Sequence, residues 1–275
     1  MEVPLQTALD DIEELLLQIA VHARRPFFSL WNRLNQSEDT ADLSLNQKLL
    51  KILPHLEGLK RVSLPPDIQF LSWVNPRYPS VLRELKQPPL GLFVWGSWIS
   101  QEKRAGVVGS RKPVSFALRM TGDFVMRVVE KDYAIVSGGA FGIDIEAHRI
   151  CLESNGKAIC VLGSGLRHLY PKANERLMLQ MVEKGGVLVS EYPPLSPPAP
   201  WTFPERNRLI AALSDFLVMA QAGEKSGSLS TARAALDLGR EVFVLRPVPL
   251  DAGFDGSRAL IDSGAQILTS PQQLN

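Results

Sequence analysis

With 275 residues, 45% of them hydrophobic and 21% charged, the chain can bury a full-sized core and still carry a smaller second unit. The net charge of +1 excludes a strong global field toward nucleic acid or membrane. Residues 1 to 75 hold a net −3 and the remainder a net +4, so any basic site must be local, made by a few placed arginines and lysines.

No apolar run approaches the roughly 20 residues of a membrane-spanning helix. The acidic start, with Asp10, Asp11, Glu13 and Glu14, does not resemble a secretory signal, and the expected location is cytoplasmic, with no membrane partner. Cys151 and Cys160 have neither CxxC spacing nor a histidine cluster beside them. They read as buried thiols, with no disulfide, metal or cofactor implied.

In chain order, apolar residues first recur at helical spacing: Leu9, Ile12, Leu15, Leu16 and Ile19, then Leu45, Leu49, Ile52 and Leu53, broken by Pro26 and Pro54. The spacing predicts a small helical domain over residues 1–75. A proline-rich connection follows at Asn75 to Pro79 and Gln87 to Pro89. Beyond it, strand-length apolar runs alternate with helix-length segments: Leu92 to Trp95, Ala105 to Val108, Ala134 to Val136, Ala158 to Leu162, Val187 to Val189, Phe216 to Ala220 and Glu241 to Leu245. Such runs, bounded by glycine and separated by helices, predict parallel strands covered on both faces, hence a doubly wound α/β sheet over residues 76–275.

The turns after the strands carry the functional signal. They are Gly109-Ser110-Arg111, Ser137-Gly138-Gly139-Ala140-Phe141-Gly142, Gly163-Ser164-Gly165 and Ser226-Gly227-Ser228 with Thr231. In an open parallel sheet these turns share one edge, where glycines let backbone amides approach a ligand and helix N-termini add positive potential. With Arg111 and Lys225 directly beside two of them, the edge reads as a phosphate site. Neither G-x-x-x-x-G-K-[ST] nor a clean G-x-G-x-x-G is present, which disfavours ATP and NAD.

Read in order, these motifs carry a resemblance. They are Val108-Gly109-Ser110-Arg111, Ser137-Gly138-x-Ala140-x-Gly142-Ile143-Asp144-x-x-Ala147-His148, Val161-Leu162-Gly163-x-Gly165, Tyr170-Pro171-x-x-Asn174, Ser190-Glu191-Tyr192-Pro193, Phe203-Pro204-x-Arg206-Asn207-Arg208-x-Ile210 and Lys225-Ser226-Gly227-Ser228-x-x-Thr231-Ala232. From about Tyr78 to Ser270 the chain resembles the DNA-processing protein A (DprA/Smf) family. The resemblance implies an extended Rossmann-like domain that binds single-stranded DNA, pairs as a homodimer and assists RecA loading during natural transformation, without catalysis. It places Arg111, Lys112, Arg206, Arg208 and Lys225 on phosphates, with Ser110, Ser137, Ser228 and the turn amides completing the cradle. The candidate DNA-binding set is therefore Gly109, Ser110, Arg111, Lys112, Ser137, Gly138, Gly139, Phe141, Gly163, Arg206, Asn207, Arg208, Lys225, Ser226, Gly227 and Ser228.

Three departures from the family pattern stand out. Phe141 occupies a position where the family commonly has arginine, and both base stacking and core packing are open to it. Arg246-Pro247 and Gly256-Ser257-Arg258 replace the usual late-loop residues, predicting a differently shaped loop. The winged-helix-like module that many members carry at the C-terminus is not expected.

Other readings are weaker. Asp144 and His148, four apart on one helix face, read as a turn-capping carboxylate and a structural histidine rather than as an acid/base pair. Glu191 has no nucleophile or second carboxylate spaced to work with it. Residues Pro193 to Pro200 read as a stiff loop over the sheet edge. The alternative function is a nucleoside monophosphate phosphoribohydrolase, but aligning its Pro-Gly-Gly-x-Gly-Thr-x-x-Glu motif on Thr231 puts Ala234 where the working glutamate belongs. For the paired arginines, the expected arrangement has Asn207 capping a helix, Arg206 in the preceding loop and Arg208 in the first turn, both reaching one ligand.

Overall fold

The structure is a computed structural model, and it describes residues 5–22, 62–98, 103–246 and 252–269. Its centre is a nine-stranded sheet built from β1 (Ile68–Ser72), β2 (Gly91–Gly96), β3 (Arg104–Val108), β4 (Ala134–Ser137), β5 (Ala158–Leu162), β6 (Val187–Ser190), β7 (Phe216–Met219), β8 (Glu241–Leu245) and β9 (Gln266–Leu268). The spatial order is β1-β2-β6-β5-β4-β3-β7-β8-β9. From β3 the chain steps outward one way through β4, β5 and β6, then returns to β3's other side and steps the opposite way through β7, β8 and β9. That reversal between β3 and β7 is the topological switch point of a doubly wound sheet, where loops on the carboxyl edge diverge and leave a crevice.

All the pairings from β6 to β9 are parallel. The central strands read as unbroken apolar runs because both of their faces are covered: all five residues of β5 are buried. Alternate residues go to opposite layers. Ala105, Val107, Phe216 and Val218 join the layer under α2 (Ser115–Glu130), α3 (Ile143–Glu153) and α4 (Glu175–Glu183). Val108, Leu217 and Met219 join the layer under α5 (Thr202–Ala212) and α6 (Ser228–Asp237), to which α7 (Asp255–Asp262) adds Leu260 and Ile261. In α2 the buried positions Ala117, Thr121, Phe124, Val125 and Val128 follow the helical period, so one stripe meets the sheet.

Two parts of the sheet differ from the sequence expectation. The run Leu92 to Trp95 is a strand, but β2 lies antiparallel to both β1 and β6 rather than parallel. The short stretch between β1 and β2 holds only one turn of 3-10 helix, Ser80–Glu84, and so provides no long helical crossover of the kind a parallel return needs. Strands β1 and β9 were not expected at all. β1 follows Pro65-Pro66 and contains Gln69 and Ser72, and β9 is three residues long with two of them exposed, so neither shows a readable apolar pattern.

The sheet thus reaches back to Ile68, ahead of the expected boundary at residue 75. The first predicted helix is present as α1 (Leu5–His22), with Leu15, Leu16 and Ile19 buried, and Ser72 Oγ donates to Glu13 Oε1 at 3.1 Å. The second helical segment, around Leu45 to Leu53 with Pro26 and Pro54, lies outside the described residues.

Candidate nucleic-acid interface

The loops at the switch point enclose an open cleft of about 930 Å³. One wall is the loop after β3, with Gly109, Ser110, Arg111 and Lys112, and the facing wall is the loop after β7, with Gly223, Lys225, Ser226, Gly227 and Ser228. The first turns of α5 cover it through Phe203, Pro204, Arg206 and Asn207, and Tyr170 closes one side. Gln221 ties the two loops together: its Oε1 accepts the Val114 amide at 2.9 Å, while the Ala220 amide reaches the Val108 carbonyl at 3.0 Å. From behind, the Ala222 amide donates to Ser257 Oγ at 2.8 Å, so the Gly256-Ser257-Arg258 stretch, with Arg258 where the family pattern has asparagine, lies in the first turn of α7 and buttresses the cleft through Ser257.

The cleft is basic where it meets solvent. Arg111, Lys112 and Lys225 are exposed, with Arg111 standing over the Phe203 ring at 5.7 Å. Ser226 and Ser228 exchange a hydroxyl hydrogen bond of 2.7 Å at the N-terminus of α6, where Ser228 and Thr231 line the same space. No side chain would be obstructed at Gly227, so that position is open to a ligand. Exposed cations, hydroxyls and a helix N-terminus facing one concavity form an anion site suited to phosphate.

Not every predicted residue lies there. Gly109, Ser110, Arg111, Lys112, Arg206, Asn207, Lys225, Ser226, Gly227 and Ser228 line the cleft, whereas Ser137, Gly138, Gly139, Phe141, Gly163 and Arg208 do not. The Ser137 hydroxyl points into the sheet and donates to the Val107 carbonyl at 2.6 Å. Gly139 takes a positive φ of 66° and is packed against Cys160 and Met178, and Gly163 lies under the Phe203 ring. These glycines let layers approach closely. Phe141 is 46% exposed, so of its two open readings core packing is excluded.

The arginine pair corrects the sequence expectation. Residues 202–212 are helical throughout, so Asn207 is no cap and Arg206 does not stand in a loop. At about 100° per residue the two side chains leave α5 in divergent directions. Arg206 runs inward, 4% exposed, and its Nη1 donates to the Gly138 carbonyl at 2.8 Å and to the Val161 carbonyl. Arg208 runs away from the cleft to Glu191, with contacts of 2.8 and 2.7 Å to the two carboxylate oxygens. Asn207 bridges helices instead: its Nδ2 donates to Ser230 Oγ at 2.9 Å and to the Gly227 carbonyl, holding the N-terminus of α6 in place.

Asp144 is buried beneath the cleft floor. Burial raises its pKa, while Arg206 and the amides of Ala140 and Gly138 hold it down. Burial likewise lowers the pKa of Arg206, opposed by Asp144. Each charge is kept in place by the other. One helical turn on, His148 is fully buried and its pKa is lowered to about 4 by desolvation, so it is neutral near pH 7. Among the described residues no group of three or more His, Cys, Asp and Glu side chains is placed to hold a metal ion, and no helix is long and apolar enough to cross a membrane.

Sequence reasoning did not assign Tyr170 and Phe203 to the site, though both line the cleft with rings 5.5 Å apart. The Tyr170-Pro171 and Phe203-Pro204 pairs were the available signals, but only the tertiary fold brings them to one wall.

Fold and site together define a Rossmann-like α/β protein with a basic, phosphate-suited cleft at its switch point. The chain belongs to the DNA recombination-mediator protein A family, whose sequence profile matches residues 69–275. Protein Smf of Synechocystis sp. is 39% identical over 211 residues, covering 75% of this chain and 53% of that protein. Protein Smf of Escherichia coli is 39% identical, covering 77% and 55%. The DNA processing protein DprA of Bacillus subtilis is 33% identical over 84% of this chain and 78% of its own length. The chain therefore spans about half the length of the two Smf relatives. The X-ray structure of DprA from Streptococcus pneumoniae superposes with a TM-score of 0.75 at 29% identity, over 100% of this chain and 98% of that one. A structure of the Helicobacter pylori protein, concerned with its single-stranded DNA binding mode, gives a TM-score of 0.68 at 30% identity, over 75% and 93%.

Proposed function

We propose that this protein binds single-stranded DNA by gripping its phosphates in the switch-point cleft. The observation that carries the reading is the convergence of Arg111, Lys112, Lys225, the Ser226-Ser228 pair and the start of α6 on one open concavity. Backbone contacts of this kind supply affinity without reading sequence, which suits a protein that must accept any strand. The relative from Helicobacter pylori, with its single-stranded DNA binding mode, supports the same choice of ligand. On the family relationship, the bound strand is then passed to RecA in recombination and transformation. The protein works in the cytoplasm as a homodimer paired through the Rossmann-like domain, without catalysing a reaction.

Oligothymidylate titrations at increasing salt test this. The affinity falls steeply with salt, and Arg111→Ala or Lys225→Ala each lowers the log–log slope by about one unit. Binding that is independent of salt, or unchanged in both variants, removes the cleft as the phosphate site.

A further inference from the structure

The phosphate cleft does not by itself distinguish one strand from two, because a duplex presents the same phosphates. Among the described residues, three aromatic side chains are conspicuously exposed: Phe141 at 46%, Tyr170 at 43% and Trp201 at 47%. All three sit on the carboxyl edge, in the loops that leave β4, β5 and β6 respectively. Those strands are consecutive neighbours in the sheet, so the three loops leave it side by side, with Tyr170 on the cleft wall itself. Strands are spaced by about 4.8 Å, so the strand ends that launch the three loops span roughly 10 Å.

Two of the rings are backed by another ring, and the third stands on a tight turn. Phe141 sits at the tip of a turn whose flanking Gly139 and Gly142 have positive φ, and Gly142 packs on the Ser110 carbonyl of the cleft wall. Tyr170 lies against Phe203 with centroids 5.5 Å apart, and Trp201 meets the buried Tyr192 edge-on at 6.0 Å. Full burial would contribute about 2 kcal/mol or more for a ring of this size, and nearly half of that gain is forgone at these exposures. An exposed face on a fixed turn is what an unpaired base stacks on, and a paired base inside a duplex has no free face to offer.

We infer that Phe141, Tyr170 and Trp201 form a line of base-stacking surfaces that carries the strand beyond the cleft and selects unpaired nucleotides. The inference rests on the cleft reading and assigns strandedness to these rings, leaving charge neutralisation to Arg111, Lys112 and Lys225.

The test compares oligothymidylate with an abasic sugar–phosphate oligomer of the same length and charge. The wild-type chain prefers the base-bearing oligomer by about a hundredfold or more. The triple variant F141L/Y170L/W201L keeps apolar bulk without an aromatic face; it melts like wild type, keeps the salt slope, and loses most of that preference, each ring contributing about fivefold or more. Its preference for single strand over duplex narrows in parallel. Equal, salt-sensitive binding of both oligomers by wild type overturns the stacking row and leaves the cleft intact, as does a triple variant with undiminished preference. Failure of wild type to bind either oligomer removes the cleft reading and the row together.

Discussion

The guanidinium of Arg206 occupies the space that a side chain on Gly138 would need: Nη1 donates to the Gly138 carbonyl at 2.8 Å, and a Cβ on Gly138 would come within 2.5 Å of that same nitrogen. The basic residue and the glycine of two distant motifs are therefore one structural unit. Arg206 fastens the carboxyl ends of β4 and β5 to α5, and the cleft floor takes its shape from that fastening.

Arg206→Ala should accordingly unfold the protein more readily. It removes hydrogen bonds to two buried carbonyls and the positive charge that opposes the burial of Asp144, a loss of about 3 kcal/mol. Chemical denaturation reads this directly, and a variant that is as stable as wild type would show the arginine to be held for a ligand alone.

Gly138→Ala should act on the same unit from the other side. The added methyl overlaps the guanidinium, and relieving it costs about 1–3 kcal/mol. Because the two residues are in contact, the double variant Gly138→Ala/Arg206→Ala loses less than the sum of the single losses. Strict additivity in the denaturation midpoints would contradict the contact.

Arg208→Ala separates stability from binding. Its partner Glu191 has a side chain only 5% exposed, and losing a charge-assisted pair there costs roughly 2 kcal/mol. Since Arg208 does not line the cleft, oligothymidylate affinity at a temperature well below melting stays within about twofold of wild type. A large loss of affinity in a folded variant would put Arg208 back on the DNA.

His148 makes stability fall in acid. Burial lowers its pKa from an ordinary 6.5 to about 4, so the unfolded chain binds a proton that the native one refuses. Its contribution is complete above pH 6.5 and is lost as pH falls through the native value, by up to about 3 kcal/mol. Asp144, raised by burial, works in the opposite sense and is lost as pH rises. His148→Gln removes only the histidine component, so the variant's stability between pH 6.5 and 4 has a shallower slope than wild type. Parallel curves would mean that His148 does not titrate as its burial requires.

Cys151 and Cys160 are both buried, and desolvation pushes each thiol up to about 12. A thiol reagent at pH 8 should leave the native protein unlabelled and react with both residues on unfolding. Rapid labelling of either in the native state would contradict their burial.

The sheet's parallel core was legible because its chemistry is local. Ala158 to Leu162 is uniformly apolar for a strand covered on both faces, and it runs directly into the glycine turn at Gly163. That Gly109 to Lys112 and Lys225 to Ser228 form basic, glycine-rich turns on one edge was legible for the same reason, since residue type and turn sit side by side in the chain. Strand direction was not: whether Leu92 to Trp95 runs with or against β6 depends on how the chain returns, which no short window contains. The roles of Arg206 and Arg208 were also beyond local pattern. A helix that starts at Thr202 rather than at Asn207 turns one arginine onto Gly138 and the other onto Glu191, and both partners come from remote strand ends. Chain-local chemistry pointed to a basic, glycine-rich edge, and only the packing of α5 across β4, β5 and β6 decided which of its charges face the cleft and which hold the edge together.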